Sequence, residues 1–142
     1  MSEICLNLVT CMVIPEGVKP LDRIWSLENW QKSLNRVQQV IQKKSSDEYQ
    51  RFELVFDAGL PTPDLVEVER YRRDEEIEVI HLVPPPGIKS LSAKWWVENE
   101  DQARLFARRK VLIDESEYTP EQARKMFRIL RENMEYLMGS NT

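Results

Sequence analysis

DLVEVERYRRDEEIEVIHLV, residues Asp64–Val83, is the stretch on which the fold turns. Val66 and Val68 alternate with Glu67 and Glu69 in its first half, and Ile77–Val83 forms a second apolar run. Four charged residues, Arg73 to Glu76, lie between them. VEVERYRRDEE also contains good helix formers, so a helix beginning at Asp64 is the rival reading. The β-branched valines lose side-chain freedom in a helix, and IEVIHLV has strong strand character. Both point to a β-hairpin, with strands over Leu65–Arg72 and Ile77–Val83.

Working upstream, Tyr49–Phe56 sets Phe52, Leu54 and Phe56 against Arg51, Glu53 and Val55, the period of a half-buried strand. Before it, SLENWQKSLNRVQQVIQKK places Leu27, Trp30, Leu34, Val37 and Ile41 at steps of three and four. That spacing predicts one long amphipathic helix, N-capped by Ser26 and ending at Lys43 and Lys44. ICLNLVTCMVI, Ile4–Ile14, is apolar on both parities and predicts a central strand, ended by Pro15 and Gly17. Downstream, Pro84 to Pro86 terminate the hairpin, and Ala103, Phe106, Ala107 and Lys110 share a face of a helix expected over about 99–111. The last element is the clearest. Thr119, Pro120 and Gln122 carry a capping box, Ala123, Met126, Phe127, Leu130, Met134 and Leu137 form an apolar face, and Gly139 supplies the stop. A helix is therefore expected over 118–138, with a frayed tail at 139–142. The expectation is a single α+β domain over residues 1–142. It has a mostly antiparallel sheet of about four strands and about three helices, the long first and last helices packed on the sheet.

Composition narrows the classes. The chain has 142 residues, 42% apolar and 31% charged, ordinary for a folded domain. Its net charge of -4 lacks the basic excess of a dedicated nucleic-acid binder. Cys5 and Cys11 are the two cysteines. On one strand they stand about 20 Å apart and cannot bond to each other, so two buried thiols in a reducing compartment are expected. Without a secretory pattern or an apolar run long enough to span a bilayer, the expected location is the cytoplasm, with no membrane contact.

The usual catalytic sets are missing. The one histidine, His81, lies inside an apolar strand and reads as structural. The four glycines make neither G-x-G-x-x-G nor a phosphate loop, so no cofactor is expected. No spacing resembles a zinc site. Residues 47–80 hold eleven acids against four bases, concentrated on the hairpin. The expected function is a non-enzymatic protein-interaction module: an adaptor, inhibitor or assembly subunit. It would present Glu67, Glu69, Glu75 and Glu76 of the hairpin, with Met134 and Met138 of the last helix, to another protein or a second copy of itself. An alternative is nucleic-acid binding by Arg104, Arg108, Arg109 and Lys110 with Trp95 and Trp96 as stacking partners. A second alternative is a metal-dependent carboxylate enzyme around Asp57, Asp64, Glu67 and Glu69, where the nearest base is Arg70 rather than a lysine.

Overall fold

The structure, a computed structural model, describes residues 2–34, 37–56, 64–84, 87–99 and 101–139. β1 is Glu3–Val13, α1 Pro20–Trp25, α2 Leu27–Ser33, β2 Val37–Ser45, β3 Tyr49–Phe56, β4 Asp64–Arg73 and β5 Glu76–Val83. β6 is Ile88–Asn99, β7 Ala103–Asp114 and α3 Pro120–Leu137, with a single 3-10 turn at Glu115–Glu117 before α3. The strands form one antiparallel sheet in the order β1-β7-β6-β5-β4-β3-β2.

The hairpin over 64–83 is present as β4 and β5. Arg73 pairs with Glu76 across a two-residue turn in which Asp74 takes φ of 45°, a conformation aspartate tolerates better than most residues. The α+β class holds, but the strand count of about four does not: seven strands lie among the described residues. Two expected helices and one stretch given no element, residues 88–99, account for the difference.

The long helix over 26–44 stops at Ser33. Leu34 is extended, with φ -105° and ψ 112°, and β2 follows. Leu27, Leu34 and Val37 are buried and Trp30 packs against them, as the three-four spacing predicted, but from α2, its C-cap residue and β2 rather than from one helix. Ile41, the next in that series, points outward at 38% exposure. The helix over about 99–111 is instead strand β7, which pairs with β6 as a hairpin. Leu91, Ala93, Trp95 and Val97 on β6, and Leu105, Ala107, Arg109, Val111 and Ile113 on β7, occupy alternate positions on one face. β1 is an edge strand, not a central one: its even-numbered residues face the core, while Cys5 and Cys11 are exposed rather than buried.

All three helices pack on one face of the sheet, called inner here. Ile24 of α1, Leu27 of α2 and Met134 and Leu137 of α3 are buried with Phe52, Val66, Val68, Ile77, Trp95 and Leu105 of the strands. Each such burial contributes about 1.5–3 kcal/mol. A smaller cluster lies at the other end of α3, where Met126 and Tyr118 pack on Leu91, Val111 and Ile113. α3 begins as expected: the Thr119 hydroxyl accepts from Gln122 N at 3.1 Å and the Gln122 side chain accepts from Thr119 N at 3.1 Å. Asn29 Nδ2 donates to the Leu137 carbonyl at 3.1 Å, fastening α2 to the end of α3.

Candidate ligand-binding site

Two arginines stand on the inner face in one transverse row. The register runs Leu8, Arg109, Ala93, Val79, Arg70 and Gln50 from β1 to β3. Three strand spacings separate the two arginine backbones, about 14 Å. Their surroundings differ in kind. The Arg70 guanidinium donates to the carbonyls of Ile24 at 2.6 Å and Trp25 at 2.9 Å, and to Gln50 Oε1 through both Nε, at 3.0 Å, and Nη2. The rings of Phe52, Trp25 and Trp30 lie 4.9–5.5 Å from its carbon. Burial pushes its pKa down to about 9, so it stays charged at neutral pH. Arg70 is a clamp that holds α1 and α2 on the sheet.

Arg109 also points inward but is only half-buried, and desolvation pushes it down to about 10. Yet it has no hydrogen bond or ion pair among the described residues. Its side chain also keeps part of its surface accessible, although the inward positions flanking it on β7 include the buried Leu105, Val111 and Ile113. A buried cation without a carboxylate costs several kcal/mol unless something solvates it. Ala93, its neighbour on β6, contributes only a methyl group, which leaves room beside the guanidinium.

His81 is the second polar group on this face. It shares the inward parity of Ile77 and Val79. Pairing between β5 and β6 ends at Ile80–Ser92 although both strands continue, and the His81 ring makes its hydrogen bond to the backbone of Leu91. Nδ1 is buried without a partner. In the neutral ring one nitrogen carries the proton and the other a lone pair, and the unpartnered Nδ1 is the one open to a ligand. Burial first, and the nearby Arg109 charge second, hold His81 down at about 3, so the ring is neutral. A cation and an unpartnered imidazole nitrogen thus lie near one another on the inner face.

Further along the inner face there is also a cavity. It encloses about 220 Å³ between α3 and the β6–β7 pair, lined by Ile88, Ile113, Met126 and Ile129, with Glu117 and Lys125 among the polar residues. Ile113 stands two inward positions beyond Arg109 on β7. On β1, Leu6 and Leu8 face the same side and stay half-buried, although Leu8 pairs with Arg109 itself. The inner face is therefore filled at the α1–α2 end and looser toward the start of α3.

No protein-family model and no curated protein matches the sequence. Solved structures do match. The di-domain ARO/CYC StfQ of the steffimycin biosynthetic pathway superposes with a TM-score of 0.77 at 14% identity, over 94% of this chain and 48% of that one. The chain thus spans about half the length of that protein. The Zhui aromatase/cyclase of Streptomyces sp. R1128 gives 0.73 at 13% identity, over 98% and 93%. A START superfamily protein from Mycobacterium smegmatis gives 0.69 at 8% identity, over 96% and 95%. The chain has a helix-grip, START-like fold. At these identities the likeness is one of fold.

The helix-grip arrangement overturns the adaptor expectation, because the surface that reading needed is not formed. Met134 and Met138 are buried in the chain's own core. Glu67 accepts from Arg51 at 2.6 Å and from Lys43 at 3.4 Å, and this arginine bond first of all holds its carboxyl below the usual range. Glu69 accepts from the Tyr49 hydroxyl at 2.6 Å. Glu76 pairs with Lys94 at 2.9 Å, and only Glu75 remains simply exposed in the turn.

The nucleic-acid set is divided by the sheet. Arg104, Arg108 and Lys110 point outward with Trp96, whose ring stacks on Phe106 at 5.4 Å, whereas Arg109 and Trp95 point inward. For the carboxylate set, Asp57 lies outside the described residues, as does the side chain of Asp64, and Glu67 and Glu69 are engaged as above. No group of three or more potential metal ligands occurs among the described residues. No helix there is long and apolar enough to cross a membrane.

Proposed function

We propose that this helix-grip domain binds a small, largely apolar molecule between the inner face of the sheet and α3, and anchors an oxygen of it on Arg109. The observation that carries this reading is the contrast between the two inner arginines. Arg70 is buried and makes four hydrogen bonds to protein; Arg109, in the same inner row, has no partner among the described residues and faces the looser half of the core. A charge-assisted hydrogen bond from Arg109 to a ligand carbonyl, carboxylate or phenolic oxygen supplies the missing solvation. His81 Nδ1 accepts from a hydroxyl on the same ligand. Half-buried Leu6 and Leu8, with Met126 and Ile129, provide the apolar wall expected of a small-molecule site.

Catalysis on such a ligand is a second reading, favoured by the pairing of a cation with a free imidazole nitrogen and by the aromatase/cyclases among the structures of like fold. With a pKa near 3, however, His81 is a weak base, and removing a proton from carbon is far uphill for it. Holding a ligand fits the resting electrostatics better than proton abstraction. The exposed thiols of Cys5 and Cys11 suit a reducing cytoplasm, which is where we place this activity.

Anilinonaphthalene sulfonate, an apolar anion, and N-phenylnaphthylamine, its uncharged relative, test the binding reading by fluorescence. Both bind the wild-type chain. Arg109→Met weakens the anion by about tenfold to a hundredfold, the worth of one charge-assisted hydrogen bond, and leaves the neutral probe unchanged. Failure of both probes to bind, or equal weakening of both by the substitution, overturns the reading.

A further inference from the structure

The two edges of the sheet are built differently. β2 breaks register between Val37 and Gln39 and again between Gln42 and Lys44, and it carries Lys43 and Lys44. Bulges and lysines are devices that keep an edge strand from pairing with another chain. β1 at the other edge has none of them. Its register with β7 is unbroken over eleven residues, and no charge follows Glu3 within the strand. Its outer row exposes Cys5, Val9, Cys11 and Val13, with Val9 at 49% and Val13 at 46%.

We propose that β1 pairs antiparallel with β1 of a second copy, joining two sheets across a twofold axis at Leu8. Leu8 is the midpoint of β1, so this register alone pairs all eleven of its residues. On the inner side Ile4 faces Met12, Leu6 faces Thr10 and Leu8 faces its own copy, all apolar or uncharged. On the outer side Asn7 faces Val9 and Cys5 faces Cys11, so the exposed row is covered by its own counterpart. Charge does not oppose the match: Glu3, the one charged residue of β1, is paired with Lys89 of its own chain at 3.0 Å and faces the uncharged Val13 of the other copy.

Sedimentation equilibrium of the reduced full chain at micromolar concentration returns a dimer on this proposal. Val9→Lys sets two like charges on either side of the axis at an exposed position and raises the dissociation constant by about tenfold or more. A wild-type chain that remains monomeric overturns the proposal, as does an unchanged dissociation constant in the variant. The native cysteines read the register. Facing residues in an antiparallel ladder have Cα atoms about 4.5–5.5 Å apart, within disulfide reach. With copper phenanthroline as oxidant, taking two electrons as two thiols lose their protons and join, Cys5→Ser alone and Cys11→Ser alone give no covalent dimer. A mixture of the two does, because Cys11 of one then faces Cys5 of the other. Cross-linking within either variant alone, or none in the mixture, refutes the pairing.

Discussion

Replacing Arg109 by methionine exchanges a cation for an apolar side chain of similar reach at a half-buried, inward-facing position. The structure sets the sign of the effect. The folded-state pKa lies near 10, well below the ordinary guanidinium value, so the folded protein holds this proton less tightly than the unfolded chain. The penalty is complete at any pH below the folded value and fades only as pH rises above it. At 1.36 kcal/mol per unit it amounts to roughly 3 kcal/mol, and the accessible part of the guanidinium reduces this to about 1–2 kcal/mol. Arg109→Met is therefore expected to stabilise the unliganded chain by about 1–2 kcal/mol, a rise in Tm of roughly 3–8 °C for a domain of this size. Thermal and urea unfolding followed by circular dichroism at neutral pH measure it. The same preparation should have lost most of its affinity for the anionic probe. A variant less stable than wild type by 1 kcal/mol or more would falsify the reasoning, because it would mean that Arg109 already has a structural partner.

The opposite sign is expected at the other inner arginine. Arg70→Met strips the Ile24 and Trp25 carbonyls and Gln50 Oε1 of their donors in a buried setting and should cost about 3–5 kcal/mol; a loss under 1 kcal/mol in urea unfolding would show that α1 and α2 do not depend on the clamp. His81 shapes the acid limb. Its folded pKa near 3 lies below the unfolded 6.5, so the unfolded chain takes the proton first and stability is lost as pH falls through that window. His81 should account for about 2 kcal/mol of the stability lost between neutral pH and about pH 5, a loss absent from His81→Gln. Superimposable pH profiles of the two proteins would show that the ring is not held neutral by burial.

Period-two alternation was legible where polar and apolar residues kept to their own faces, as in Phe52–Leu54 of β3 and Val66–Val68 of β4. It was obscured where that separation failed, and the failures have physical causes. β2 sits at an edge, needs few buried side chains and is broken by two bulges, so Val37 and Ile41 extended a helical spacing that had ended at Ser33. In β1 both parities are apolar, which in a lone sequence means a strand buried on both faces; the outer row is exposed because nothing among the described residues covers it.

β7 is the most informative case. Leu105, Ala107, Val111 and Ile113 alternate cleanly, and the residue that interrupts them is Arg109. With an apolar side chain there, the strand would have been evident. With arginine, and with helix formers around it, ARLFARRK resembles the charged end of an amphipathic helix, and Arg109 was grouped with the outward-facing Arg108 and Lys110. Natural sequences are locally consistent with their fold except where function requires otherwise. The position that hid the strand is the one at which the fold keeps a cation it does not itself solvate. Its neighbour in this respect is His81, whose burial could be read from IEVIHLV but whose unpartnered Nδ1 could not. That nitrogen depends on β5 and β6 parting after Ile80–Ser92, and on an arginine two strands away, relations that no spacing along the chain encodes.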